Sequence, residues 1–241
     1  MSRHIVLTRC SESVEQLHWL RQFKNKDTTV TIYNKGDWSN FDLPNDILDF
    51  TNVLTRVNTG RDGEGQVWHI YNNYNNLPDE LIFLQPRFDD HIDWPYWSGC
   101  EAKPTADKLP DSIVNHDYDG SELQMFSNDT VECWNVSDEL VHNFQTGLDD
   151  CDFIHINKLL NTNYKRADKF CLRFGAGMMY SIPKSLLINK SKRWWNQCYR
   201  FYMSYPGPDH HCYVFERFYL EMFYYNESTN TISNYRKTLR E

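Results

Sequence analysis

Asn58-Thr59-Gly60-Arg61-Asp62-Gly63-Glu64-Gly65-Gln66-Val67-Trp68-His69-Ile70, continued by Tyr71-Asn72-Asn73-Tyr74-Asn75-Asn76-Leu77-Pro78-Asp79-Glu80-Leu81-Ile82-Phe83-Leu84-Gln85, decides the fold. It reads as a polar, glycine-rich loop, a helix from about Gly65 to Tyr74, a turn at Leu77-Pro78-Asp79 and a short apolar strand. Glycine lets backbone amides approach a phosphate, and a helix N-terminus adds positive potential there. Just past the strand come Asp89, Asp90 and His91. Acidic residues beyond a strand's carboxyl end lie where open α/β sheets bind ligands. The order of features suits a nucleotide diphosphate held together with a divalent metal.

Working outward, Ile5-Val6-Leu7 marks a first strand over about 4–9 and Thr28–Tyr33 a β-branched second one. Between them, Ser11 or Ser13 caps a helix whose stripe is Val14, Leu17, Trp19, Leu20 and Phe23, with Glu12 and Glu15 at its positive end. With the third strand over about 80–85, this β-α-β-α-β start predicts parallel pairing. Residues 37–57 read as irregular, and about 86–168 as a loop-rich insertion. Regular structure returns at Phe170–Tyr180, followed by a helix from about Lys184 to Met203 and another from about Tyr213 to Tyr225. The tail after Asn226 is polar and reads as loosely held. At 241 residues the whole forms one α/β domain, with a mainly parallel, Rossmann-type sheet flanked by helices.

Composition excludes several classes. A formal charge of −8 disfavours a general nucleic-acid binder, which needs a basic face. No apolar run reaches the roughly 18–20 residues of a membrane span, and Met1-Ser2-Arg3-His4 runs straight into a strand without a signal-peptide pattern. The seven cysteines are scattered, odd in number and without a Cys-x-x-Cys pair, which points to reduced thiols and a cytoplasmic location. The four formal glycosylation sequons, beginning at Asn128, Asn135, Asn189 and Asn226, then carry no weight.

Several segments resemble an uncharacterised family of glycosyltransferase-like proteins, itself similar to GT-A glycosyltransferases. The opening Asn58-Thr59-Gly60-Arg61-Asp62, the turn Asn75-Asn76-Leu77-Pro78 and the strand end Phe83-Leu84-Gln85 carry the likeness. Thr8-Arg9-Cys10-Ser11-Glu12 with Trp19, and Ile32-Tyr33-Asn34-Lys35-Gly36, extend it, as do Phe174-Gly175-Ala176-Gly177 to Ser181 and Phe215-Glu216-Arg217. Residues 92–168 match nothing in it. The chain departs from the family pattern at Asp62 (Glu), Gln66 (an aromatic), Pro86-Arg87 (Gly-Asp) and Tyr219 (Trp). The resemblance implies a GT-A-like fold and sugar transfer from a UDP- or GDP-sugar donor to a glycan or protein acceptor, assisted by manganese or magnesium.

On that basis Thr8, Arg9, Glu12, Lys35, Asn58, Gly60 and Arg61 are the candidate donor-binding residues. Arg9, Lys35 and Arg61 would meet diphosphate oxygens, and Asn58 and Glu12 the base or ribose. Asp89, Asp90, His91 and His211 are the candidate metal ligands, with the acidic pair expected beside Arg9 or Arg61 at the mouth of the deepest pocket. Glu216 is the candidate general base, placed early in the last helix, with Asp90 the second catalytic candidate. The competing readings are a solvated acidic loop at Asp89-Asp90, a Glu216-Arg217 surface pair, and a binding protein without catalysis. A glycoside hydrolase also uses two carboxylates, but it has no need of nucleotide-like loops.

Overall fold

The structure is a computed structural model that describes residues 2–24, 26–36, 42–88, 111–115, 122–126, 130–135, 150–165, 171–204 and 210–232. Its centre is a six-stranded sheet in the order β3-β2-β1-β4-β8-β5. The strands are β1 (Arg3–Arg9), β2 (Thr28–Asn34), β3 (Thr51–Thr55), β4 (Glu80–Leu84), β5 (Gln124–Met125) and β8 (Tyr180–Pro183). The first four run parallel to one another, whereas β8 is antiparallel to both β4 and β5. Two small antiparallel pairs stand apart: β6 (Thr130–Asn135) with β7 (Cys171–Gly175), and β9 (Tyr225–Asn226) with β10 (Thr231–Ile232).

The central strands β1 and β4 carry continuous apolar runs because both faces of the sheet are covered there. Ile5, Leu7, Ile32, Ile82 and Leu84 face Leu17, Trp19, Leu20 and Phe23 of a 3₁₀ helix at Val14–Phe23. Val6, Leu81, Phe83, Tyr180 and Ile182 face Val67, Ile70, Trp195 and Tyr219. That second layer consists of helices α2 (Arg61–Asn72), α4 (Asp150–Leu160), α6 (Lys192–Met203) and α7 (His210–Tyr224). Short helices α1 (Asn45–Leu48), α3 (Asp111–Val114) and α5 (Lys184–Ile188) complete the set among the described residues.

The three expected strands are present, and so is the parallel pairing. Other expectations are corrected. The segment read as irregular holds α1 and the edge strand β3. Helix α2 starts at Arg61 rather than Gly65, because Gly60 adopts φ 63° as its N-cap and its carbonyl receives the Glu64 amide at 3.1 Å. Gly63 and Gly65 therefore belong to the helix and not to a loop. The first connecting helix is 3₁₀, opened by a reciprocal Ser13–Gln16 capping box. The long helix expected at 184–203 breaks into α5 and α6, since Ser191 Oγ accepts the Trp194 amide at 3.2 Å and starts a new helix. The stretch 170–180 divides into β7, a 3₁₀ turn at Ala176–Met178 and the start of β8. The last helix begins at His210, so Glu216 lies in its middle. After Asn226 the chain forms the β9–β10 hairpin, tied by Tyr225 Oη donating to Asn230 Oδ1 at 2.9 Å. Among the described residues, no helix is long and apolar enough to cross a membrane.

Candidate functional site

From β1 the chain proceeds to β2 and then β3 on one side, and returns to β4 on the other. The carboxyl ends of β1 and β4 therefore flank a topological switch point, where open α/β sheets bind ligands. The connection after β1, the end of β2, the N-terminus of α2 and Gln85 after β4 all meet at this edge. A cleft of about 590 Å³ opens here, with Arg9, Cys10, Ser13, Lys35, Gly36 and Asn58 among its lining residues.

Each wall of the cleft is fixed by hydrogen bonds, most of them between segments distant in sequence. Arg9 is buried; its Nε donates to Glu12 O at 2.8 Å and its Nη1 to Asn34 Oδ1 at 2.9 Å. Glu12 Oε2 in turn accepts the Cys10 amide at 2.6 Å, closing the turn after β1. Asn58 Nδ2 donates to Cys10 Sγ at 3.2 Å across the cleft. Lys35 lies deeper. Its side chain is 0% exposed, and Nζ donates to the carbonyls of Thr59 (2.8 Å) and Arg61 and pairs with Glu64 Oε2 at 2.7 Å. All three of its N–H groups are thus committed, and the ammonium anchors the 59–61 turn from below. Burial lowers the Lys35 pKa, an effect that Glu64 opposes. Arg56 also pairs with Glu64, and its guanidinium lies over Trp68 at 4.1 Å.

Thr8 is buried under α2 at Gly65, so it supports the site from beneath. Gly60 provides the left-handed turn into α2, and Arg61 follows it, exposed, with φ 44°. The glycines serve helix packing as much as any ligand: a Cβ on Gly60 would stand 2.6 Å from Tyr202 Cδ1, and one on Gly63 would collide with the Tyr202 hydroxyl.

Two residues that sequence reasoning left out of the site belong to it. Asp62, in the first turn of α2, accepts a hydrogen bond from Gln85 Nε2 at 3.0 Å. Burial, reinforced by the charge of Glu12, raises its pKa to about 7. The sequence signals were available: a carboxylate two residues past a glycine N-cap, and a Gln at a strand's carboxyl end. In the sequence each stands only as part of the family pattern.

Glu216 sits on α7 with its Oε1 accepting the Gly177 amide at 2.7 Å. Gly177 has φ 80° in the turn that leads into β8. Because Tyr180 pairs with Phe83 in antiparallel register, this turn lies at the carboxyl edge of β4, the same edge as the cleft. Gln66 joins the two regions, donating from Nε2 to Met178 O at 3.0 Å from one turn beyond Asp62. The structure thus brings Arg9, Glu12, Asn58, Gly60, Arg61 and Asp62 to one edge, with Glu216 at the β8 end of it. His211 lies in the first turn of α7. Asp89, Asp90 and His91 lie outside the described residues, and with them the expected acidic pair at the pocket mouth. Among the described residues, no group of three or more His, Cys, Asp or Glu is arranged to hold a metal ion.

Comparison with family models, with curated proteins and with solved structures finds no match to this chain.

Proposed function

We propose that this protein is a GT-A-type glycosyltransferase, moving a sugar from a UDP- or GDP-linked donor to a glycan or protein acceptor. The observation that carries the reading is the cleft at the switch point. Its walls come from three separate sequence segments and bring the buried Arg9 together with Lys35 and with Asn58, two residues before the N-cap of α2. A cation and oriented backbone amides at one edge are what a diphosphate requires. The cleft also falls within the usual size of a small-ligand site.

In this reading Arg9 and the first amides of α2 hold the diphosphate, and Asn58 and Glu12 contact base or ribose. Lys35 fixes the turn that presents those amides. Glu216 takes the proton of the acceptor hydroxyl as the new glycosidic bond forms. Manganese or magnesium, if used, would be held by Asp89, Asp90, His91 or His211 and would neutralise the leaving diphosphate.

Calorimetric titration with UDP- and GDP-sugars, with and without manganese, tests the reading. Binding of one donor supports it, and metal-enhanced binding supports the metal role. If no nucleotide sugar binds, the reading is wrong. A second reading, a nucleotide-sugar-binding protein that performs no transfer, is favoured by one observation: Glu216 Oε1 is already engaged by the Gly177 amide. Donor binding with no turnover on any acceptor class would select it.

A further inference from the structure

The charges of this chain are segregated. Residues 153–204 contain ten Lys and Arg and a single acid, Asp168, although the chain as a whole is at −8. Part of that excess is displayed on α6 and at Lys158 of α4, a helix that opens on Asp150 and the buried Asp152. In α6, Lys192, Arg193 and Arg200 are exposed, while Trp194, Trp195, Cys198 and Tyr202 face the core. In α4, Ile154 and Lys158 are exposed on the side away from Phe153, Ile156 and Leu160.

The two helices lie side by side and antiparallel. The His155 ring is 4.5 Å from that of Phe201, and one turn further along α4 the Leu159 carbonyl accepts Trp194 Nε1 at 2.9 Å. Their outward faces therefore adjoin. Among the described residues, no ion pair joins Lys158, Arg193 or Arg200 to an acid. The same face exposes large aliphatic side chains, Ile154 at 63% and Met203 at 41%.

We propose that the joined outward face of α4 and α6 docks on an anionic lipid bilayer. Lys158, Arg193 and Arg200 would meet the headgroup phosphates, while Ile154 and Met203 enter the headgroup–acyl boundary. Cations alone would suit any polyanion. The exposed aliphatics favour the bilayer, because apolar side chains gain by leaving water for the acyl boundary and gain nothing beside a hydrated phosphate chain. The inference is independent of the glycosyl-transfer reading. It concerns a peripheral contact, for which no spanning helix is required.

The test is cosedimentation of the full chain with vesicles of phosphatidylcholine alone and of phosphatidylcholine mixed with phosphatidylserine. The expected result is partition onto the mixed vesicles only, weakened by added salt. At about fivefold per cation, the K158Q/R193Q/R200Q variant should lose roughly a hundredfold in partition coefficient. I154S/M203S should lose about tenfold at unchanged charge. Circular dichroism checks that each variant folds; should one fail, the lipid and salt dependence of the natural chain still decides.

Equal binding to both vesicle types, or an unaffected triple variant, overturns the proposal. So does an unaffected I154S/M203S variant in a chain that heparin binds as tightly as vesicles do, which would identify a general polyanion surface instead.

Discussion

Gln85 Nε2 donates to Asp62 Oδ2 at 3.0 Å, joining the residue that follows β4 to the first turn of α2 across the switch point. The pair ties the first turn of α2 to the carboxyl end of β4. It also holds a carboxyl group whose pKa is raised to about 7, chiefly by burial.

That shift has a definite sign. Between about pH 4 and 7 the native state keeps a proton that the unfolded chain has lost, so stability falls as pH rises through this window. Asp62→Asn keeps an acceptor for Gln85 and does not titrate. Denaturant unfolding at the two ends of the window should show the natural chain losing about 2 kcal/mol relative to the variant, after discounting for the half-buried position. Parallel pH profiles would refute the assignment.

Replacing Glu216 with Gln retains an oxygen for the Gly177 amide and removes the proton acceptor. We expect the fold and donor affinity to be preserved while turnover drops about 10²–10⁴-fold. Near-normal turnover in the folded variant would assign the base to another residue.

Lys35→Met leaves the buried Glu64 carboxylate with only Arg56, and leaves the Thr59 and Arg61 carbonyls without their donor. Breaking a buried pair from one side costs about 3–5 kcal/mol. The unfolding free energy from denaturant titration should fall by that amount, and Lys35→Met/Glu64→Gln should recover part of the loss. A variant with unchanged stability but weakened donor binding would instead make Lys35 a direct ligand.

Gly63→Ala places a methyl against the Tyr202 hydroxyl. Overpacking of this kind costs about 1–3 kcal/mol, and Tyr202→Phe should relieve it in part. Thermal unfolding of the single and double variants checks the coupling. Simple additivity would mean that the helices separate freely.

His4 and His69 meet edge to face with their rings 4.7 Å apart. Burial lowers their pKa values to about 4 and about 3. Both are held neutral by the fold, so they favour the native state above the ordinary histidine pKa, and that contribution disappears as pH falls from about 6.5 toward 4. His4→Gln should flatten this acid limb in thermal melts between pH 7 and 4.

The sheet was readable where both faces are covered. Ile5-Val6-Leu7 and Leu81-Ile82-Phe83-Leu84 are continuous apolar runs, and strands of that kind announce themselves in sequence. β3 was not readable, because as an edge strand Thr51–Thr55 alternates weakly and leaves Leu54 exposed. The first turn of α2 is hidden in the sequence because its glycines resemble loop residues, whereas Gly60 and Gly63 let Tyr202 approach and Gly65 packs over Thr8. The family resemblance marks Arg9, Lys35 and Arg61 as cations of the site but says nothing of their depth: Arg9 and Lys35 are buried, and Arg61 is exposed. Nothing in the spacing of Lys35 reveals that Glu64, a distant residue in sequence, takes its charge. The role of Asp62 is not legible in the sequence because its altered pKa arises from burial and from Glu12, neither visible until the chain is folded.

The placement of β8 between β4 and β5 has a consequence for the protein's birth on the ribosome. β4 is complete at Leu84, yet the strand that covers its outer edge begins only at Tyr180. At ordinary elongation rates of about 5–20 residues per second, Leu81-Ile82-Phe83-Leu84 waits roughly 5–20 s with an unpaired edge. An apolar edge left open that long is a template for pairing between nascent chains. Yield of native protein should therefore depend on holdase chaperones and on slow, cool expression more than its final stability would indicate.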